Sequence, residues 1–500
     1  MNRAHRNRSL FVLTAAVLAG SPWIQASALD FSDLEGWWTA TPSHGGESSQ
    51  VVLHFEQIEG KPSARMALPA IGMYDVVLGA VTIENDTIDT KPLSFPLTYD
   101  ASTQRLTGLL PKDAAPLYDI PVEFRRTEAM PSKPATSWTI QKPKLLWSVE
   151  TGGPAWAGLE RDPRSGLLFA ANDLGTLHAI DDTGAVRWKV ETAKPIRGRP
   201  ALIGDDVYVA SDSGFLYKLD KQKGTERWRA KIDSGSPERI PTNKENSRWD
   251  RYGSSIVSDG QRLYVASRDK NLYALDIKSG NELWRVTTAD MMTATPALYR
   301  DLVIFASFDG KVQAVTAKDG APRWSYDAKL AVPGDVMVAR DRVYVGSRTY
   351  DLIALDANSG QEIWKHYYWF SWIESPAVIR EGTVYTGSSD AVNVYALDGA
   401  NGGLKWKTAV PGWAWARPAV SDDLVVAGTV GAGSYPGPRS GSLVVLDRHS
   451  GAIRWLYLDP PSPEIVEAKK GWGFGSSPLI VGKKIYAMDL DGRVMCFEVS

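Results

Sequence analysis

From residue 147 onward tryptophan returns at a nearly fixed interval. It stands at 147, 188, 228, 284, 324, 364, 406 and 455, with gaps of 41, 40, 56, 40, 40, 42 and 49 residues. Seven of these have a glycine four residues earlier: Gly184, Gly224, Gly280, Gly320, Gly360, Gly402 and Gly451. Six of the glycines follow an aspartate (Asp181, Asp220, Asp276, Asp356, Asp398, Asp447), and Thr316 replaces it in the remaining copy. Self-similarity at a period near 40 residues restricts a chain to repeat architectures.

Each copy reads as four short strands. The first resembles Ser375-Pro-Ala-Val378, the second Val343-Tyr-Val-Gly-Ser347, and the third Leu272-Tyr-Ala-Leu-Asp276. The Asp and Gly suit a tight turn, because Asp bonds nearby backbone and Gly accepts positive φ. The Trp then opens the fourth strand, where its ring is large enough to wedge between neighbouring sheets. Four-stranded units of this length are propeller blades. Seven complete units end at Trp188 through Trp455. An eighth, beginning near Ser476, lacks its Trp strand, while Lys144 to Glu150 is a Trp strand with no unit before it. The chain is therefore expected to be all-β, an eight-bladed propeller closed non-covalently by strand 144–150. A solenoid would need caps at both ends, and none is visible.

Ahead of the repeat, residues 1–28 have the form of a signal peptide. Arg3, His5, Arg6 and Arg8 precede an apolar run from Leu10 to Ala19, and Ala26-Ser27-Ala28 is a small-x-small cleavage site. No adjacent arginine pair marks a twin-arginine signal, and no cysteine follows the run to carry a lipid. The expectation is Sec export to the periplasm without lipidation. No later segment is long and apolar enough for a membrane helix. Residues 29–128 read as a small all-β domain, a sandwich or a barrel. Residues 129–143, with Pro131, Pro134 and Pro143, read as a linker, and 144–500 as the propeller.

Composition removes several functions. Lys plus Arg (56) nearly balance Asp plus Glu (58), which argues against nucleic-acid binding. The single cysteine, Cys496, excludes a disulfide scaffold, a cysteine-rich zinc site and a c-type haem attachment. No metal site is expected.

The repeat, as in Ser375-Pro-Ala-Val, Val384-Tyr-Thr-Gly-Ser, Val394-Tyr-Ala-Leu-Asp and Gly402-Gly-Leu-Lys-Trp406, resembles the pyrroloquinoline-quinone (PQQ)-type propeller repeat over about residues 144–499. The resemblance implies one of two branches. One holds quinoprotein dehydrogenases of alcohols or sugars with bound PQQ and calcium. The other holds non-catalytic scaffolds, notably the eight-bladed lipoprotein of the outer-membrane β-barrel assembly machinery. Against the first, the adjacent cysteines, the fused-haem motif and the calcium-binding T-G-N stretch are absent. Trp249-Asp250-Arg251-Tyr252-Gly253 does resemble the segment bearing that branch's general base, which makes Asp250 the one catalytic candidate. Against the second, there is no lipidated cysteine, and the β domain at 29–128 is extra.

In a propeller, the links between blades and the turns between second and third strands open on one face. The links here carry Trp156, then Arg197 and Arg199, then Arg251 and Tyr252, then Met291 and Met292. An aromatic run from Tyr367 through Trp372 precedes Glu374, and Trp413, Trp415 and Arg417 follow, then Trp472 and Phe474. The insertions at 231–250, 430–441 and 457–471 fall on the same face, and loops on a rigid scaffold carry function. Trp, Tyr and Arg dominate binding hot spots, and Arg197, Arg199, Arg251 and Arg417 suit bidentate capture of a carboxylate. The same aromatics are alternatively channel core. The reading is an exported, non-catalytic scaffold that binds an envelope protein or small ligand at this mouth, without a cofactor. Two alternatives stay open: a haem-free dehydrogenase using PQQ with calcium in the same mouth, and a glycan or small-ligand binder.

Overall fold

The computed structural model describes residues 29–499 except 85, 91–95, 111–116, 133–142, 234–250, 433–438, 462 and 464–470. The signal segment 1–28, most of the linker and Asp250 thus lie outside the described residues. Among the described residues no helix is long and apolar enough to cross a membrane.

The N-terminal unit is a closed barrel of eight antiparallel strands, which decides between sandwich and barrel. Around it run Gly36–Ala40, Pro121–Thr127, Arg105–Leu109, Leu97–Asp100, Thr87–Thr90, Met73–Glu84, Lys61–Leu68 and Val51–Ile58, the last pairing back to the first. Alternation sets which side faces in: Val122 and Phe124 are buried, while Glu123 and Arg125 between and beyond them are exposed. Trp38, Phe55 and Phe124 fill the interior, and the Trp38 indole donates to the Leu34 carbonyl at 2.8 Å. Closure leaves no free sheet edge.

The second unit is the eight-bladed propeller. Blades 1 to 7 are the sheets within 160–191, 201–231, 257–287, 297–327, 337–367, 378–409 and 419–459. Blade 8 takes three strands from 479–498, and its fourth is Lys144–Glu150, paired antiparallel to Arg493–Glu498. A Lys144–Glu498 ion pair of 2.7 Å sits at the end of this seam. Blade 7 has a fifth strand, Gly471–Gly473, laid on the extended second strand Leu424–Ala432.

The Trp–Gly spacing joins one blade to the next. Seven of the eight repeat Trp rings lie over the turn glycine of the following blade. A Cβ on Gly360, for example, would stand 2.5 Å from the Trp324 ring, and one on Gly224 would stand 2.7 Å from Trp188. The glycine is therefore required twice, by its positive φ (+71° at Gly360) and by the ring above it. The indole N–H then reaches the carbonyl next to the turn aspartate: Trp188 to Lys221, Trp324 to Ala357, Trp364 to Gly399, Trp406 to Arg448. At the seam the turn is missing, and the Trp455 N–H, like that of Trp228 over Gly280, finds no acceptor among the described residues.

The barrel sits on the looped face of the propeller, over blades 5 to 7. Its core continues without a break into Tyr350, Tyr367, Trp369 and Phe370 of the propeller. Tyr118 Oη donates to the buried Asp351 carboxylate at 2.8 Å, and His44 packs against both Tyr118 and Tyr367. Lys407 pairs with Glu47 at 2.9 Å, and Arg439 donates to the Ile71 carbonyl at 2.7 Å.

Candidate functional site

The blade links bring the anticipated residues together at the axis, as an interlocked plug. Trp413 and Trp415 are two apart on an extended link, so both rings fall on one side, and they stack with centroids 4.6 Å apart. Their N–H groups donate to Asp390 and Ser389 in the neighbouring turn. The Arg251 guanidinium lies 3.5 Å from the Trp415 ring centroid and 5.5 Å from that of Trp156. Tyr252 meets Trp156 edge-on and donates to the Gly475 carbonyl at 3.2 Å.

Arg251 is buried, 4% exposed, and burial draws its pKa down to about 10 against the opposing pull of Glu374. It therefore remains a cation at neutral pH. Glu374 Oε2 lies 3.7 Å away, and Glu374 Oε1 accepts two bonds from Arg348 at 3.1 and 2.7 Å. Arg348 covers the Trp372 ring at 4.6 Å, and Trp372 packs on the barrel core. Trp413, Trp415, Arg251, Glu374, Arg348 and Trp372 thus form one ladder from the axis to the barrel. A desolvated cation–π contact in such a ladder is worth about 2 kcal/mol.

The four-arginine carboxylate grip needs correction, because three of the four are already engaged. Arg197 holds Asp173 bidentately at 3.0 and 2.7 Å, and Arg199 reaches Glu160 at 2.8 Å. Arg251 faces Glu374. Arg417 stands beside Arg199, and burial and that like charge both lower its pKa while Asp335 and Glu160 oppose them. The axial cavity that Arg417 shares with Arg197, Arg199, Tyr252 and Asp335 has a volume of only about 40 Å³. The open aromatic mouth is likewise corrected in part. Trp413, Trp415, Trp472 and Phe474 are buried, Trp472 within the fifth strand of blade 7 and Phe474 against Tyr457. Tyr367, Trp369 and Phe370 lie under the barrel, while Tyr368 is buried between blades 5 and 6 and stacks on Tyr395. The reason is economy of apolar surface: large rings near the axis meet one another before they meet water.

Pockets that take a molecule of the size of PQQ run to about 300–1,000 Å³, against about 40 Å³ for this axial cavity. Among the described residues no group of three His, Cys, Asp or Glu could hold a metal ion.

Sequence alone passes over Asp173, Arg348, Ser389 and Asp390, which all lie in turns between second and third strands. A signal for them exists. These turns repeat a Ser/Asn-x-x-Gly pattern, as in Asn172 to Gly175 and Ser211 to Gly214, and their second residue faces the axis-side links.

Comparison with known proteins follows the propeller. Residues 141–247, 241–368 and 352–500 match the family model described as outer membrane protein assembly factor BamB. A protein of that name from Burkholderia pseudomallei is 27% identical over 173 residues, covering 33% of this chain and 41% of the relative. One from Yersinia pestis is 24% identical over 277 residues, covering 52% of this chain and 66% of the relative. The matched segments thus span less than two thirds of these relatives. The crystal structure of BamB from Moraxella catarrhalis superimposes with a TM-score of 0.54 at 18% identity, covering 71% of this chain and all of that one. That likeness is one of fold.

Proposed function

The chain belongs, through residues 141–500, to the family described as outer membrane protein assembly factor BamB, and from that membership we propose that it is an exported, non-catalytic assembly scaffold of the cell envelope. Residues 1–28 direct it to the periplasm, where it works unlipidated and without quinone or metal. An envelope protein is its partner and engages the part of the looped face that the barrel leaves open. The observation that carries this reading is the mutual pairing of most of the axial charges, Arg197 with Asp173, Arg199 with Glu160 and Arg251 with Glu374. A ring whose cations and carboxylates hold each other is a stiff platform, and its working surface is the loop rim. On that rim Leu174 is 58% exposed beside the Arg197–Asp173 pair, a position from which a partner on this face would be within reach.

The test is photo-crosslinking in cells, with the reactive side chain at Leu174 and, as a control on the opposite face, at Val481. A discrete adduct with an outer-membrane assembly protein from position 174, and none from 481, supports the scaffold. Equal labelling from both positions, or none from either, defeats it. Calcium-dependent PQQ binding with dye-linked oxidation of alcohols or sugars would put the dehydrogenase reading in its place.

A further inference from the structure

A second cavity, of about 400 Å³, lies where the barrel meets blades 6 and 7. The barrel supplies Pro69, Ala70, Gly72 and Tyr74, and the propeller supplies Trp369, Val392, Tyr395 and Val410. A pocket of this volume at a junction between two units is of the size and place that small-molecule sites favour.

Three observations indicate what it takes. Its wall is apolar except for a few polar groups, and the only charged side chains in it among the described residues are two cations, Lys407 and Arg439. Arg439 is 3% exposed and donates to the backbone carbonyls of Ile71 and Asp390, which fixes its position across the junction. Lys407 is half exposed and pairs with Glu47, whose carboxylate lies outside the wall. Next, Trp369 and Tyr395 add aromatic surface to the wall, which suits an apolar body. Finally, Val392 holds φ +45° at the turn position where blades 1, 2, 4 and 8 have Gly175, Gly214, Gly310 and Gly492. A β-branched residue in the left-handed region is strained, and such strain gathers at ligand clamps.

We propose that this cavity binds a small hydrophobic carboxylate, with its apolar body among Pro69, Tyr74, Val392 and Val410 and its charge answered by Lys407 and Arg439. The cavity is separate from the axial plug and from Leu174, so it stands or falls apart from the partner assignment.

The full-length protein titrated by calorimetry with decanoate, decanol and decyltrimethylammonium tests this. Decanoate is expected to bind saturably at one site, with the alcohol and the cation weaker by about tenfold or more, the factor that one charge-assisted contact supplies. Ala409→Trp places a ring in the cavity from an exposed position on the outer strand of blade 6 and is expected to abolish binding with thermal unfolding unchanged. Lys407→Gln should weaken decanoate by about tenfold and leave decanol as it was. Absence of saturable decanoate binding overturns the proposal, as does equal affinity for the cation. Undiminished binding to a folded Ala409→Trp variant overturns it too. If that variant does not fold, the Lys407→Gln comparison decides alone.

Discussion

Gly360→Ala separates the two reasons for the turn glycine. The backbone reason is a φ of +71°, where an alanine costs about 1–2 kcal/mol. The packing reason is the Trp324 ring, whose Cε3 and Cδ2 would stand 2.5 and 2.6 Å from the new Cβ. Forcing a methyl into a packed site adds about 1–3 kcal/mol, so Gly360→Ala should cost about 2–5 kcal/mol in total. Gly204 is the control. Its φ is +62° and a Cβ there would meet nothing within 4 Å, so Gly204→Ala should cost only the backbone share, about 1–2 kcal/mol. Trp324→Ala removes the ring at its own cost of about 3–5 kcal/mol. In that background Gly360→Ala should fall to the Gly204 value, a coupling of about 1–3 kcal/mol between the two sites. The assay is equilibrium guanidinium unfolding of the wild type, the two single variants, the double variant and the control, followed by far-ultraviolet circular dichroism. Equal costs for Gly360→Ala and Gly204→Ala, or additivity within about 0.5 kcal/mol, would refute the blade-to-blade role of the glycine.

Three further outcomes are expected. Deleting residues 144–150 strips the fourth strand from blade 8 and should lower the melting temperature severely; an unchanged melt would sink the ring closure. Arg251→Met leaves Glu374 with Arg348 alone and should destabilise by about 3 kcal/mol or more in chemical unfolding, since one partner of a buried pair is left behind; a neutral result would mean that the Trp415 contact and the Glu374 pair carry no net weight. Asp459 is buried beside Asp489, and burial with that neighbouring charge pushes its pKa up to about 6, with Arg493 pulling back. Because the folded value exceeds the unfolded value of about 3.9, the native state holds the proton more tightly. Its stabilising share is full below about pH 4 and is lost as pH rises through about 6. Asp459→Asn should flatten stability between pH 4 and 7, and an unaltered slope in a pH series of thermal melts would dismiss the assignment.

How much of this is legible in the sequence differs by feature. The propeller is, because Trp, Gly and Asp recur at positions where one ring, one turn and one cap are each repeated. The seam is legible from the unmatched Trp147 strand. The convergence of Trp156, Arg251, Glu374 and Trp415 follows from which links open on one face. What the links do not reveal is their partners. Asp173 and Glu160 neutralise Arg197 and Arg199 from another loop and another strand, and a lone link gives no sign of being paired. The run from Tyr367 to Trp372 reads equally well as display or as core. Its burial depends on Tyr118, 233 residues before the Asp351 it bonds. No local pattern carries a contact between a barrel and a blade so far apart in the chain.

The seam also has a consequence in time. Lys144 and Glu498, which meet across it, are 354 residues apart in sequence. The closing strand is the earliest part of the propeller to emerge during synthesis or export, and its partner is among the latest. Seven blades can form in turn by local hairpins while the first strand waits, with exposed Leu145 and Leu146 unmatched to any neighbour. Only after blade 8 arrives does the circle shut, against the entropy of a very long loop. An interrupted chain would therefore hold nearly all its blades and still lack its final bond between first and last, an open curl instead of a wheel.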